Sequence, residues 1–333
     1  MEMHGAQLLR SDGSRAMMID HNSVILGVDC GGTNLRVGLV GSDYRVSNTQ
    51  VYESQRILIG DSPMDRLADL LERYLSECLT DDQELIAIST GFPSMVAADR
   101  KTIIRTTFAP ALNHIDVTQA LSRFHVPVYA EKDVNLLLRY DGWRLNLRPQ
   151  GVWLGVYVGT GLGCSLAVDG KILEGVHGVT GELGHIPVRT GLRCGCGNDG
   201  CVETKTAGNA LVRELKARYG SDEPISDAFL RHAQEPFIDE WLEYLAIAMA
   251  TAINLLDPTA VIVAGGVPQM AGFPKERLLE KIHRMARKPV PDIDLSLMYP
   301  SVNPEDGIIG AAMYAAERAG NPRERSTPAI ALS

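Results

Sequence analysis

Short apolar runs alternate with glycine turns and amphipathic stretches along this chain. Val24–Asp29 is apolar and ends in an acid, Gly31-Gly32-Thr33 follows, and Leu35–Val40 is apolar again. That order predicts strand, tight turn, strand. The design returns at Val152–Val158, Gly159-Thr160-Gly161-Leu162-Gly163 and a second strand to Val168, with Asp169-Gly170 as the next turn. From Ser62 to Cys78, the residues Leu67, Leu70, Leu71, Tyr74, Leu75 and Cys78 recur at the helical period and predict a core-facing helix. Ser62 suits its N-cap and Pro63 its first position. Leu85–Ser89 reads as a short strand running into Gly91-Phe92-Pro93, a strand end where α/β folds place ligands. Val126–Ala130 reads as a strand and Leu136–Trp143 as a helix. Leu245–Leu256 is an apolar helix stopped by Asp257-Pro258, ahead of a buried strand at Ala260–Ala264 and then Gly265-Gly266-Val267. Gly307–Arg318 reads as a helix opening on small residues that permit close packing.

The 333 residues are enough for two domains of ordinary size, and 45% hydrophobic content with 32 glycines fits a well-packed α/β protein. A formal charge of −9 argues against a nucleic-acid or anionic-membrane surface. No apolar run reaches the ~20 residues of a membrane span. Met1–Asn22 lacks the apolar core of a secretory signal and reads as a loose arm. A cytoplasmic protein is expected.

The densest chemistry lies between Gly178 and Glu203. His185, Cys194, Cys196 and Cys201 form His-x8-Cys-x-Cys-x4-Cys, and one imidazole with three thiolates fills a tetrahedral zinc site, leaving no open position. Gly195, Gly197 and Gly200 allow the backbone to turn tightly between ligands. The alternatives are disulfides or buried free thiols. A bridge between thiols one residue apart is strained, and three cysteines leave one over. A structural zinc ion is the expectation. Cys30, Cys78 and Cys164 read as buried thiols. Glu182 and Glu203 flank the loop; they are either hydrogen-bond acceptors for a polyol or ordinary surface glutamates.

Each glycine turn has two readings. Backbone N–H groups in such a turn can face a phosphate, with Asp29 near a metal's water shell and Thr33 and Arg36 near phosphate oxygens; the alternative is an ordinary hairpin. Two matching turns in separate halves, gripping one polyphosphate, are more specific than either alone. The glycines after Ala260–Ala264 would let a flat group such as adenine approach the backbone. Asp133 falls at a strand–helix junction. There it is either a rigid carboxylate able to accept a hydroxyl proton or a plain N-cap.

Taken together, these stretches resemble the ROK family of sugar kinases. Asp29-Cys-Gly31-Gly32-Thr33-Asn-Leu-Arg36 is similar to its first phosphate motif and Gly159-Thr160-Gly161-Leu-Gly163 to its second. Gly181-Glu182-Leu-Gly184-His185 with the cysteine loop is similar to its zinc signature, and Val263-Ala-Gly265-Gly266-Val267 to its adenosine motif. The resemblance spans about Val24 to Gly320. It implies the two-domain actin-like (ribonuclease H-like) α/β ATPase fold with the active-site cleft between the lobes. Residues 1–22 would be a flexible arm, 23–130 plus 305–320 the N-terminal lobe, 131–304 the C-terminal lobe with its zinc loop at 185–201, and 321–333 a flexible tail. It also implies ATP, Mg²⁺ and structural Zn²⁺, a hexose substrate phosphorylated at its 6-hydroxyl, and a homodimer. Asp133 matches the catalytic base; Glu182, His185 and Glu203 match sugar-holding residues; Gly159–Gly163 and Gly265-Gly266 match nucleotide contacts.

Within the family, Gly91–Ile104, Lys132-Asp133-Val134-Asn135, Gly178–Pro187 and Ile253–Pro258 are most similar to D-allose kinases. Two positions depart from the common pattern: Lys132 stands where many members have a sugar-contacting Asn, and no Pro-Asn-Leu asparagine can be placed in Thr106–Leu112. Both bear on which sugar fits. Glucokinase or N-acylhexosamine kinase activity is the nearest alternative. A sugar-responsive regulator would carry a helix-turn-helix ahead of the body, for which about 23 residues before the first strand are too few. A non-catalytic sugar-binding protein would not need Asp133 and two phosphate turns.

Overall fold

The computed structural model describes residues 21–319, so the expected arm (but for its last two residues) and the expected tail lie outside it. The chain opens with β1 (Ser23–Cys30), β2 (Asn34–Val40) and β3 (Val46–Glu53), followed by α1 (Ser54–Leu58) and α2 (Pro63–Cys78). Then come β4 (Glu84–Phe92), β5 (Met95–Val96), β6 (Thr102–Arg105), β7 (Ile115–Asp116), α3 (Val117–Ala120), β8 (Val128–Lys132) and α4 (Asp133–Arg144). The second stretch holds β9 (Val152–Val158), β10 (Leu162–Val168), β11 (Lys171–Ile172), α5 (Glu203–Thr206), α6 (Gly208–Tyr219), α7 (Ala228–Arg231), α8 (Pro236–Leu256), β12 (Ala260–Ala264) and α9 (Lys275–Met285); α10 (Asp306–Ala319) closes the order.

Two compact units result. Among the described residues, one takes those up to Tyr140, Val176–Gly178 and 304–319; the other takes Asp141–Gly175 and Val179–Asn303. The division falls inside α4, so Asp133, expected with the C-terminal lobe, belongs to the first unit.

The first unit is built on a five-stranded sheet in the order β3-β2-β1-β4-β8. β1 and β2 form the expected antiparallel hairpin, while β4 and β8 run parallel to β1. α10 lies against the sheet, with Ile308, Ala312 and Ala315 packing on Ile25, Val40 and Ala87. The approach depends on Gly27, where a Cβ would stand 2.6 Å from the Ile308 carbonyl oxygen. Leu67, Leu70, Leu71 and Tyr74 of α2 enter a core with Val24, Leu26, Val28 and Leu39, as their period implies. A separate three-stranded sheet, β5-β6-β7, was not foreseen; its strands are too short to show a period.

The second unit holds a four-stranded sheet in the order β11-β10-β9-β12. β9 and β10 pair antiparallel across the second glycine turn, and β12 runs parallel to β9. The twenty-one residues of α8 supply Trp241, Leu242, Leu245, Ala246, Met249 and Ile253 to its core. Asp257 ends that helix in the left-handed region, its N–H on the Ile253 carbonyl.

Several boundaries differ from the expected ones: α8 begins at Pro236 and α4 at Asp133, ahead of the expected Leu245 and Leu136. β4 runs on to Phe92 because Thr90, Gly91 and Phe92 pair with Ala130, Glu131 and Lys132. β8 starts at Val128, after Pro127, which has no N–H to give a ladder. Ser62 precedes α2 but does not cap it with its side chain: its φ is +49°, and its carbonyl accepts from the Arg66 N–H at 3.2 Å. Among the described residues, no helix is long and apolar enough to cross a membrane.

Candidate active site

The register of the β1–β2 hairpin sets Asp29 directly opposite Arg36. Arg36 Nη1 donates to Asp29 Oδ2 at 3.0 Å, an ion pair that leaves the carboxylate partly exposed. Burial is the largest influence on Asp29 and raises its carboxyl above the ordinary range; Arg36 pulls it back, and Asp306 adds to the rise. The turn is braced from outside, since the Ser54 hydroxyl donates to the Gly31 carbonyl at 2.6 Å and the Ser54 N–H to that of Thr33 at 3.0 Å. Gly32 and Thr33 are exposed, and a Cβ at Gly32 would meet nothing within 4 Å. The turn therefore fronts open space, with a held carboxylate behind it.

Asp133 is the first residue of α4 and is half-buried, its Oδ1 accepting from the Val134 N–H at 2.8 Å. Gly91 of β4 makes its seat: a Cβ there would stand 2.6 Å from Leu136 Cδ1 and 3.5 Å from Asp133 Cα. Burial pushes the Cys30 thiol well up, and the Asp29 and Asp133 carboxylates add to the rise. Lys132 is buried in the last position of β8. Asn113 Oδ1 accepts from the Thr106 N–H at 2.8 Å, so the asparagine nearest the 106–112 stretch closes its own loop.

In the second unit, His185, Cys194, Cys196 and Cys201 come together, with all four donor atoms within 4.8 Å of one another. Cys196 Sγ lies 3.6 Å from Cys201 Sγ, and Cys194 Sγ 3.6 Å from His185 Nδ1. Four donors at zinc bond lengths of about 2.0–2.3 Å in a tetrahedron have edges of about 3.5–3.8 Å, so the set fits zinc. The sulfur separation is far beyond the ~2.05 Å of a disulfide. The loop is closed by Cys194 N–H to Asn198 O at 2.9 Å and Val188 N–H to Gly200 O at 2.9 Å, with Gly197 and Gly200 at φ of +103° and +80°. Gly195 is not among the glycines with positive φ. Burial pushes the Cys194 thiol up, with its hydrogen bond to Glu203 adding to the rise; a dication held by these sulfurs would oppose both.

The two glutamates are tied to this cluster. His185 Nε2 lies 3.4 Å from Glu182 Oε2, while its Nδ1 faces the Cys194 sulfur. Glu203 Oε1 accepts from Cys194 Sγ at 3.2 Å, and Glu203 Oε2 from the Leu162 N–H of the glycine turn at 3.4 Å. Both are half-buried.

That turn forms a continuous wall with α6. Gly208 N–H donates to Gly159 O at 2.9 Å and Asn209 N–H to Thr160 O at 3.1 Å, and a Cβ on Gly208 would stand 2.5 Å from Gly159 O. Gly265, at φ +101°, packs on the Val158 backbone, so Gly159–Gly163 and Gly265-Gly266 share one end of the sheet. A Cβ at Gly159 or Gly266 would meet nothing within 4 Å. Sequence reasoning missed Gly208 and Gly307. The second leaves room for the Asp29 carboxylate at the start of α10, where a Cβ would stand 2.6 Å from Asp29 Cγ; its only sequence signal is a glycine next to an acid at a helix start.

The chain matches the family model described as "ROK family" over residues 25–318. The N-acetyl-D-glucosamine kinase of Yersinia pseudotuberculosis serotype O:1b (strain IP 31758) is 26% identical over 285 residues, covering 79% of this chain and 91% of the relative. Among solved structures, a ROK hexokinase from Thermus thermophilus is similar with a TM-score of 0.70 at 26% identity, covering 89% of this chain and 99% of that one. A ROK family transcriptional regulator, a homolog of the E. coli MLC protein, is similar in fold with a TM-score of 0.74 at 22% identity, covering 89% of this chain and 79% of that one. The expected actin-like ATPase fold is the fold found.

Proposed function

We propose that this chain, which belongs to the ROK family, transfers the γ-phosphoryl group of ATP to the 6-hydroxyl of a hexose. The observation that carries the reading is the two-sided placement of His185, with Nδ1 beside the Cys194 sulfur and Nε2 beside Glu182. A ring held by a metal through Nδ1 keeps an Nε2–H donor in a fixed direction. With two half-buried carboxylates beside it, it suits a polyol, whose hydroxyls both donate and accept. Glu182, His185 and Glu203 are thus the proposed sugar contacts. Zinc on His185, Cys194, Cys196 and Cys201 supplies rigidity to the loop.

Asp133 is the proposed base, accepting the 6-hydroxyl proton as that oxygen attacks phosphorus. Gly31, Gly32, Thr33, Gly159, Thr160, Gly161 and Gly163 are the proposed phosphate contacts, and Gly265-Gly266 the adenosine contacts. Asp29 would hold the water shell of Mg²⁺, which neutralises phosphate charge when bound. Such a transfer asks little covalent work of the protein; positioning and charge supply the rate.

D-allose is the hexose favoured by the Gly91–Ile104 run and by Lys132 in place of asparagine. The Yersinia relative's activity favours N-acetyl-D-glucosamine instead, and glucose is the third choice. A coupled ADP-release assay across a hexose panel, with metal analysis of the same sample, tests the reading. One hexose should be turned over well above the others, with one zinc per chain. ADP release that no hexose raises above background ATP hydrolysis would sink the kinase reading, and a salt-dependent DNA shift in its place would favour a regulator. The chain is proposed to act as a homodimer in the cytoplasm.

A further inference from the structure

Glu131 is wholly buried one residue short of the end of β8. Its Oε1 accepts from the Lys132 N–H at 2.8 Å, from Asn135 Nδ2 at 3.0 Å and from Arg100 Nη1 at 2.8 Å. The first two donors straddle Asp133 in the chain. The third comes from the turn between β5 and β6, where Arg100 holds φ +55° and gives its N–H to the Ala97 carbonyl at 2.9 Å. Its side chain is 1% exposed.

A buried ion pair is a poor device for stability, because the desolvation of both partners offsets much of their attraction. A pair placed here does something an apolar pair could not. One carboxylate oxygen gathers a donor from each side of Asp133 and a guanidinium from a different sheet, which fixes the peptide bearing Asp133 in place and direction. Proton acceptance depends on that: the base has to lie within hydrogen-bond reach of the hydroxyl, and small misplacements are expensive in rate.

We propose that Arg100 and Glu131 are positioning residues for phosphoryl transfer, holding the β8–α4 junction so that Asp133 meets the sugar hydroxyl. The inference rests on the reading of Asp133 as base. Both side chains are buried out of reach of a ligand in solution, so the effect falls on kcat.

The test compares Asp133→Asn, Arg100→Met and the double variant Arg100→Met/Glu131→Gln in steady-state kinetics and thermal melting. Arg100→Met should lower kcat at least tenfold, with KM for hexose and ATP within twofold, and should lower Tm. The double variant leaves no unpaired buried charge, so Tm should recover while kcat stays at least tenfold down. Arg100→Lys, which keeps the charge but not the fork, should recover part of the loss. If kcat in the double variant returns to wild type together with Tm, the pair is structural and the proposal fails. If Arg100→Met does not fold, the double variant carries the comparison; if that too does not fold, the pair is a folding requirement and the positional role is overturned. Near-normal turnover by Asp133→Asn would remove the premise itself, whereas an inactive Asp133→Asn beside a fully active double variant would overturn the positioning alone.

Discussion

Replacing Gly307 with alanine should separate nucleotide handling from sugar binding. The new Cβ would stand 2.6 Å from Asp29 Cγ, 2.8 Å from Oδ2 and 2.9 Å from Asp29 Cβ, where ordinary contacts begin at 3.4 Å. The carboxylate or the start of α10 must therefore move by about 0.8 Å. The carboxylate is not free to swing, because Arg36 Nη1 holds Oδ2 at 3.0 Å. Overpacking of this kind costs about 1–3 kcal/mol, and alanine returns up to about 1 kcal/mol of helix propensity. The net loss should fall between about 0 and 3 kcal/mol, centred on ~1.5, or a few degrees in Tm. Displacement of a positioning group by about an ångström can cost on the order of 100-fold in rate. We therefore expect kcat/KM for MgATP to fall between tenfold and 100-fold. KM for the hexose should stay within twofold, since Glu182, His185 and Glu203 belong to the other unit. Varying each substrate against saturation by the other reads both numbers. Wild-type kcat/KM for MgATP at an unchanged Tm would refute the reasoning, because a Cβ would then fit where the geometry leaves no room.

Cys201→Ser should lose the metal, measured as zinc per chain, and should raise the hexose KM at least tenfold or leave the protein insoluble; full zinc content would show that Cys201 is not a ligand. Chelation of the wild-type protein should lower Tm, and added zinc should restore it. The Asp239 carboxyl is held below its ordinary range by its hydrogen bond to Lys281 and then, against some desolvation, by Arg277. A depressed folded value adds stability that is present above the unfolded value, near about 3.9, and lost as pH falls through the folded one. Asp239→Asn should thus melt below wild type at pH 7, the gap closing as pH drops below about 4. A gap unchanged down to pH 2.5 would remove that linkage.

Local signals were legible where pattern and chemistry coincide. The two glycine hairpins lie where an apolar run, a turn and a second run required them, and the four side chains proposed to hold a metal converge because they lie close together in the sequence. Junctions were harder. β8 and α4 meet at Lys132 and Asp133 without an intervening residue, and a strand that feeds straight into a helix shows neither period cleanly. Contacts between distant segments left no local trace. Asp29 needs Gly307, and Glu131 needs Arg100 from a loop whose strands are two and four residues long. The serine before α2 had the right residue type but the wrong backbone: at φ +49° its hydroxyl makes no cap, and the Arg66 guanidinium instead ties the carbonyls of Ile57 and Ile59 at 3.0 and 2.7 Å.

The central claim is that the carboxylate opening α4 takes the proton of a sugar hydroxyl. ADP release by Asp133→Asn under saturating hexose and MgATP tests it most directly. A general base contributes about 100- to 10,000-fold, so kcat should fall by that factor while hexose affinity, read by calorimetry, stays near wild type. Turnover within a few-fold of wild type would contradict the account.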